Sequence, residues 1–318
     1  MTDEVETMAW TDQVPWHGLG KNVPRDLSVD AMLGAAGLDW TVSKQKMYIE
    51  GGDRVPDAYA LMRDTDRKVL DVVGNVYTPT QNHEAAEFFR EFVEAGNAFI
   101  ETAGSLKGGK HIWFLANLGK DFKLAGGDAL KSYLLCSSPH QQGKSMVFKF
   151  TNIRVVCNNT ITMALRENRK NDVRRAHRTE FDKDAQEAVK NMLGIARDQA
   201  EAFAEEALEL TKIKTDKLRS AQLIAQICGD TKLENEPVFE LILNGGSKAT
   251  RLAIEALSNA PGHDLASANG TAWGVLNAIT YTTDHLLRRG NDSRLFNAWF
   301  GKEARLKERA ITILTDLD

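Results

Sequence analysis

The stretch Tyr133-Leu-Leu-Cys-Ser-Ser-Pro-His-Gln-Gln-Gly-Lys-Ser-Met-Val-Phe-Lys-Phe150 decides the fold. Taken as a strand, a loop and Gly143-Lys144-Ser145, it has the outline of a phosphate-binding loop in a parallel α/β sheet. That motif needs G-x-x-x-x-G-K-[ST] between a strand and a helix, so that backbone amides and the helix N-terminus hold the phosphates. Here Ser138 stands where the first glycine belongs, and Met146-Val-Phe-Lys-Phe150 continues as a β-rich alternating run. A strand offers an anion no helix N-terminus. The stretch therefore reads as a β-hairpin with a polar, cationic loop.

The segments upstream follow the same pattern. Residues 40–49 alternate as a strand and turn at Gly51-Gly52-Asp53. Residues 59–63 and 68–73 pair around Asp64-Thr65-Asp66, and 100–105 pair with 111–117 across Lys107-Gly108-Gly109. Ser28 caps a short helix over 29–36, and Asn82 caps a stronger one over 83–95, where Ala85, Phe88, Phe89, Phe92 and Val93 fall at helical spacing. Downstream, Thr151-Asn152 opens a helix to about residue 166. Its Ile153, Val156, Cys157, Thr160, Ile161 and Ala164 share one face, with Arg154, Asn158, Thr162 and Arg166 on another. Further helices are expected over 182–211, 219–228, 237–243, 271–287 and 295–314, with a break at Gly245-Gly246-Ser247 and a long loop over 259–269.

The expected fold class is α+β, with a hairpin-rich antiparallel sheet and packed helices in the N-terminal half and a mostly helical C-terminal half. The expected organisation is an N-terminal arm over 1–27, an α+β core over 28–178, and a helical region over 179–318 packing on that core.

Composition sets outer limits. The chain has 318 residues, a net charge of -4 and 42% hydrophobic residues, an ordinary balance for a water-soluble protein. The acidic start Met1-Thr2-Asp3-Glu4-Val5-Glu6 does not read as a secretory signal, and no apolar run reaches the roughly 18 residues of a membrane span. Three widely spaced cysteines, Cys136, Cys157 and Cys228, fit a reducing compartment. None of His17, His83, His111, His140, His177, His263 and His285 sits in a metal-binding spacing, so no metal and no cofactor are expected. The candidate acid–base pair is Asp284-His285, on a helix with Trp273, Asn277 and Tyr281 spaced four apart. Such a polar stripe marks either a buried hydrogen-bond network or a catalytic site.

Charge distribution says more. Between His140 and Arg178 lie nine basic residues: Lys144, Lys149, Arg154, Arg166, Arg169, Lys170, Arg174, Arg175 and Arg178. Only Glu167 and Asp172 oppose them, leaving +7, whereas 179–236 carries -5. A local field of that size attracts polyanions, and arginines suit forked phosphate contacts.

Four motifs occur in order: Trp16-His-Gly-Leu-Gly20, Gly74-Asn-Val-Tyr-Thr-Pro-Thr-Gln-Asn82, Arg154-Val-Val-Cys-Asn-Asn-Thr160, and Trp273-Gly-Val-Leu-Asn-Ala-Ile-Thr280 with Asp284-His285. Together they resemble the phage/plasmid-like protein family of unknown function, over nearly the whole chain. The resemblance implies a mobile-element gene product acting in the bacterial cytoplasm and carries over no catalytic residue. A weaker, fold-level similarity links the hairpins and basic segment to single-strand annealing proteins of phage recombination, which form rings or filaments around DNA.

The expectation is thus a non-enzymatic, oligomeric protein that binds nucleic acid, with single-stranded DNA as its partner in recombination or replication, and no membrane association. Its nine basic residues would contact phosphates, and Tyr133, Phe148 or Tyr77 would stack on bases. Two alternatives stand beside it. One is a hydrolase or nucleotide-modifying enzyme using Asp284 and His285; the other is a protein that binds a host factor, for instance a defence component.

Overall fold

Hairpins are closed by glycine-rich turns and filled with β-branched and aromatic residues, which suit a pleated, packed surface. The computed structural model describes residues 5–12, 19–94, 98–154, 159–161, 173–176, 198, 200–287 and 301–317. Its strands in chain order are β1 (Val5–Trp10), β2 (Lys21–Asn22), β3 (Val42–Tyr48), β4 (Arg54–Arg63), β5 (Val69–Gly74), β6 (Phe99–Leu106), β7 (His111–Leu124), β8 (Asp128–Pro139), β9 (Ser145–Arg154), β10 (Asn159–Ile161) and β11 (Val173–Ala176). One sheet runs β10-β9-β8-β7-β6-β1-β2, with β11 also pairing with β9, and a second is the three-stranded β3-β4-β5. The helices are α1 (Val29–Ala35), α2 (Asn82–Glu94), α3 (200–212), α4 (Lys217–Cys228), α5 (Phe239–Gly245), α6 (Lys248–Asn259), α7 (Ala272–Tyr281) and α8 (Lys302–Thr315). The fold is α+β, with the sheets mainly in the N-terminal half and the helices mainly in the C-terminal half.

The described residues divide into two units. The first holds those up to Gly119, Tyr133–Lys149 and β11; the second holds Lys120–Ser132, those from Phe150 to β10, and those from 198 onward. In the first, β7 is buried without alternation from His111 to Leu118, as befits a strand covered on both faces. The helix α2 lays Phe88 against Phe148, 4.6 Å between ring centroids, and Phe89 near Phe114 at 6.2 Å. Each fully buried ring contributes about 1.5–3 kcal/mol through area removed from water. Gly104 is needed where β1 and β6 close up, because a Cβ there would collide with the Thr7 carbonyl and the Trp113 ring.

Several expectations are corrected. Residues 152–154 and 159–161 are strand and not part of the expected 152–166 helix: β9 continues to Arg154, and β10 runs antiparallel to it with Asn159 opposite Arg154 and Ile161 opposite Asn152, while the rest of that expected helix lies outside the described residues. Thr151, Ile153, Thr160 and Ile161 are β-branched and lose rotamer freedom in a helix, while β9 offers Thr160 and Ile161 a pairing edge. Asn82 is not the cap of α2. Gln81 precedes the helix, its N–H donating to Glu84 at 2.8 Å, while the Asn82 amide donates to the carbonyls of Leu38 and Trp40. Val5–Trp10, placed by the sequence reading in an N-terminal arm, pairs antiparallel with β6. A helix absent from the sequence reading, α6, follows the glycine break, with Ser247 as its N-cap accepting from Thr250.

In the second unit, α7 is buried on nearly all sides through Trp273, Val275, Leu276, Ala278 and Ile279. The fully buried Asp128 accepts from Ser267 at 2.7 Å and from the Trp273 indole at 3.0 Å. No helix among the described residues is long and apolar enough to cross a membrane.

Candidate nucleic-acid interface

Two turns of the first unit are stitched together and carry lysines. The β6–β7 turn is Lys107-Gly108-Gly109-Lys110, with φ of 54°, 67° and 86° at its first three residues. Left-handed backbone is natural for glycine and uncommon for lysine. The glycines also leave room for cations: the Lys68 ammonium lies over Gly108, and the Arg63 guanidinium lies against Gly109. The β8–β9 turn, residues 140–144, joins the first turn where the His140 N–H donates to the Lys110 carbonyl at 2.9 Å.

The β8–β9 turn is anchored from beneath. The Gln142 N–H donates to Asp71 at 2.8 Å, and the Gln142 side-chain oxygen accepts from the Gly74 N–H at 3.2 Å. The Asn82 amide donates to two backbone carbonyls, so its oxygen faces His140 Nε2 at 2.9 Å, and that nitrogen therefore carries the proton. His140 also packs against Trp40, 5.2 Å between ring centroids.

Lys144 is exposed at the tip and donates to Gln141 at 3.0 Å. Its pKa is lowered first by partial desolvation and then by the positive charges of Lys107 and Lys110, with Asp71 opposing them. Beneath them His111, 2.6 Å from the Ser137 hydroxyl, is pushed down to about 3 by burial and by Lys144 and Lys107. Arg63 offsets nearby acid, holding Glu6 at 2.8 Å and Asp66 at 2.6 Å and keeping both carboxyls below their ordinary range.

The nine basic residues expected at the interface have different fates. Lys144 is exposed, and Lys149 is buried, which removes it from any accessible face. Arg174 and Arg175 lie on β11, paired in register with Val147 and Met146, and Ala176 is opposite Ser145 next to Lys144. Arg154 ends β9, paired with Asn159 and in the second unit. Arg166, Arg169, Lys170 and Arg178 lie outside the described residues. Tyr133, Phe148 and Tyr77 are all buried, so the expected stacking of bases on them is corrected; the Tyr133 hydroxyl instead donates to Glu101 at 2.9 Å. Counting charge along the chain from His140 missed Lys107 and Lys110, which the hairpin topology supplies. The only cue was the Lys-Gly-Gly-Lys turn between two β runs.

The other candidate pair is occupied. Asp284 lies in a π-helical segment, Thr282–Leu286, that continues α7, and it is ion-paired with Lys307 of α8 at 2.7 Å. The His285 ring packs on Tyr281, 4.7 Å between centroids. Among the described residues no group of three or more His, Cys, Asp or Glu is placed to hold a metal ion.

No curated protein and no solved structure matches the chain. A domain of unknown function, DUF932, matches residues 69–310. The match takes in three of the four sequence motifs with Asp284-His285, both lysine turns and the Asp284–Lys307 pair, and leaves Trp16–Gly20 outside. With about three quarters of its length inside that match, the chain belongs to the DUF932 family.

Proposed function

We propose that the protein binds single-stranded nucleic acid through its phosphates, with Lys107, Lys110 and Lys144 as the centre of the contact. The observation that carries this reading is that two turns joined by the His140–Lys110 backbone bond bring Lys144 within electrostatic reach of Lys107 and Lys110. Clustered cations attract a phosphate backbone, which binds them with release of its own counterions. Lysines act there as point charges without base readout, so binding is indifferent to sequence. The strand β11 pairs the backbone of Arg174 and Arg175 with the end of β9 that follows Lys144. Action in recombination or replication of a phage or plasmid, in the bacterial cytoplasm and as an oligomer, belongs to the same proposal. The test is fluorescence anisotropy with a labelled oligothymidylate. The triple variant Lys107→Gln, Lys110→Gln, Lys144→Gln should lose at least about tenfold in affinity while keeping its thermal midpoint. Equal affinity in the two proteins would overturn the assignment.

A second reading, docking to another protein, is favoured by the apolar side chains left in solvent on and beside the β3–β5 sheet. Tyr48, Ile49, Val69, Val72 and Val76 are each between 47% and 67% exposed. A stable complex with a host protein, lost in Val72→Ser with Val76→Ser, would support that reading.

A further inference from the structure

In the helical second unit lies a cavity of about 480 Å³, walled by the start of α4, by α5, by the end of α6, by the loop before α7 and by one face of α7. The volume is within the range of small-molecule sites. Its body is apolar, formed by Phe239, Leu243, Ile254 and Ala278. Polar residues, Asp216 among them, line the start of α4 and the approach to α7, and on the side where α6 ends the polar lining residues include Glu255, Asn259 and His263.

That side is rich in acceptors. His263 Nδ1 is 2.9 Å from the Ala260 carbonyl, which can only accept, so Nδ1 carries a proton and the neutral ring offers its lone pair at Nε2. The helix α6 runs from Lys248 to Asn259, and its last carbonyls carry the negative end of the helix dipole. Glu255 adds an exposed carboxylate in the final turns of the same helix. The one lysine lining the cavity, Lys217, holds its ammonium over the Phe239 ring, 4.0 Å from the centroid. Its charge is thereby associated with the aromatic wall.

We propose that this cavity binds a small organic amine with an apolar body, its ammonium among Glu255, His263 Nε2 and the end of α6 and its body against Ile254, Leu243 and Ala278. The site is independent of the lysine turns and of the function proposed for them.

Calorimetric titration of the full chain with phenethylamine, 3-phenylpropionate and 2-phenylethanol tests the proposal. Phenethylammonium should bind with a Kd of about 1 mM or better, at least about tenfold tighter than either other probe. Because Glu255 is exposed, Glu255→Gln should leave the thermal midpoint unchanged and weaken the amine about tenfold. Three results would each overturn the proposal: no saturable amine binding up to about 10 mM, a carboxylate that binds as well as the amine, or Glu255→Gln binding unchanged.

Discussion

Lys307 Nζ lies 2.7 Å from Asp284 Oδ1, with both side chains buried. A buried pair loses hydration on both sides and recovers it through mutual attraction and good hydrogen-bond geometry, so removing one partner costs stability. Lys307→Met or Asp284→Ala should each cost about 3–5 kcal/mol in urea unfolding, while the double variant Asp284→Leu with Lys307→Met should recover most of that loss. Single variants as stable as the wild type would mean that the pair does not hold α7 to α8, and would reopen Asp284 as a catalytic group.

His111 sets an acid limit on the first unit. Burial is the main cause of its fall from 6.5 to about 3. The unfolded chain therefore takes up a proton near pH 6.5 that the folded chain refuses until about pH 3. The stabilisation is fully present above the unfolded value and is lost as pH falls through this window. Urea midpoints measured from pH 7 to pH 4 should decline, and His111→Gln should flatten the decline. A variant with the wild-type slope would show that His111 is not the titrating group.

Asn82 ties α2 to the 38–40 loop and to the lysine-bearing turn. Its amide donates to Leu38 at 2.9 Å and Trp40 at 3.2 Å, and its oxygen accepts from His140. Asn82→Ala removes these bonds from a buried site, at about 1–3 kcal/mol for the groups left behind. It should also raise hydrogen exchange at residues 140–144 in mass spectrometry. Unchanged exchange there would mean that the turn is held without Asn82.

Residues 133–150 read correctly as a hairpin because turn chemistry and alternation agree there. The helix expected over 152–166 failed at 152–154 and 159–161 because apolar residues three and four apart fit a helix, while the β-branched content and the open edge of β9 favoured strands. Alternation and turn residues are local signals, but the edge that β9 offers is tertiary. The helix α6 was hidden for a different reason: Ser247 reads as the tail of a break and is also a cap. The lysine site was half legible. Lys144 stood out in a charge count, but Lys107 and Lys110 join it only through the backbone bond from His140 to Lys110, a contact between turns 30 residues apart. Lys307, 23 residues from Asp284, could not be paired with it from spacing.

The central claim is that three lysines on two adjoining turns neutralise phosphates. The most direct measurement is the slope of log affinity against log salt for an oligothymidylate, in the wild type and in the Lys107, Lys110 and Lys144 to Gln variant. Each phosphate neutralised on a single strand contributes roughly -0.7, so loss of three contacts should flatten the slope by about two units. Identical slopes in the two proteins would contradict the account.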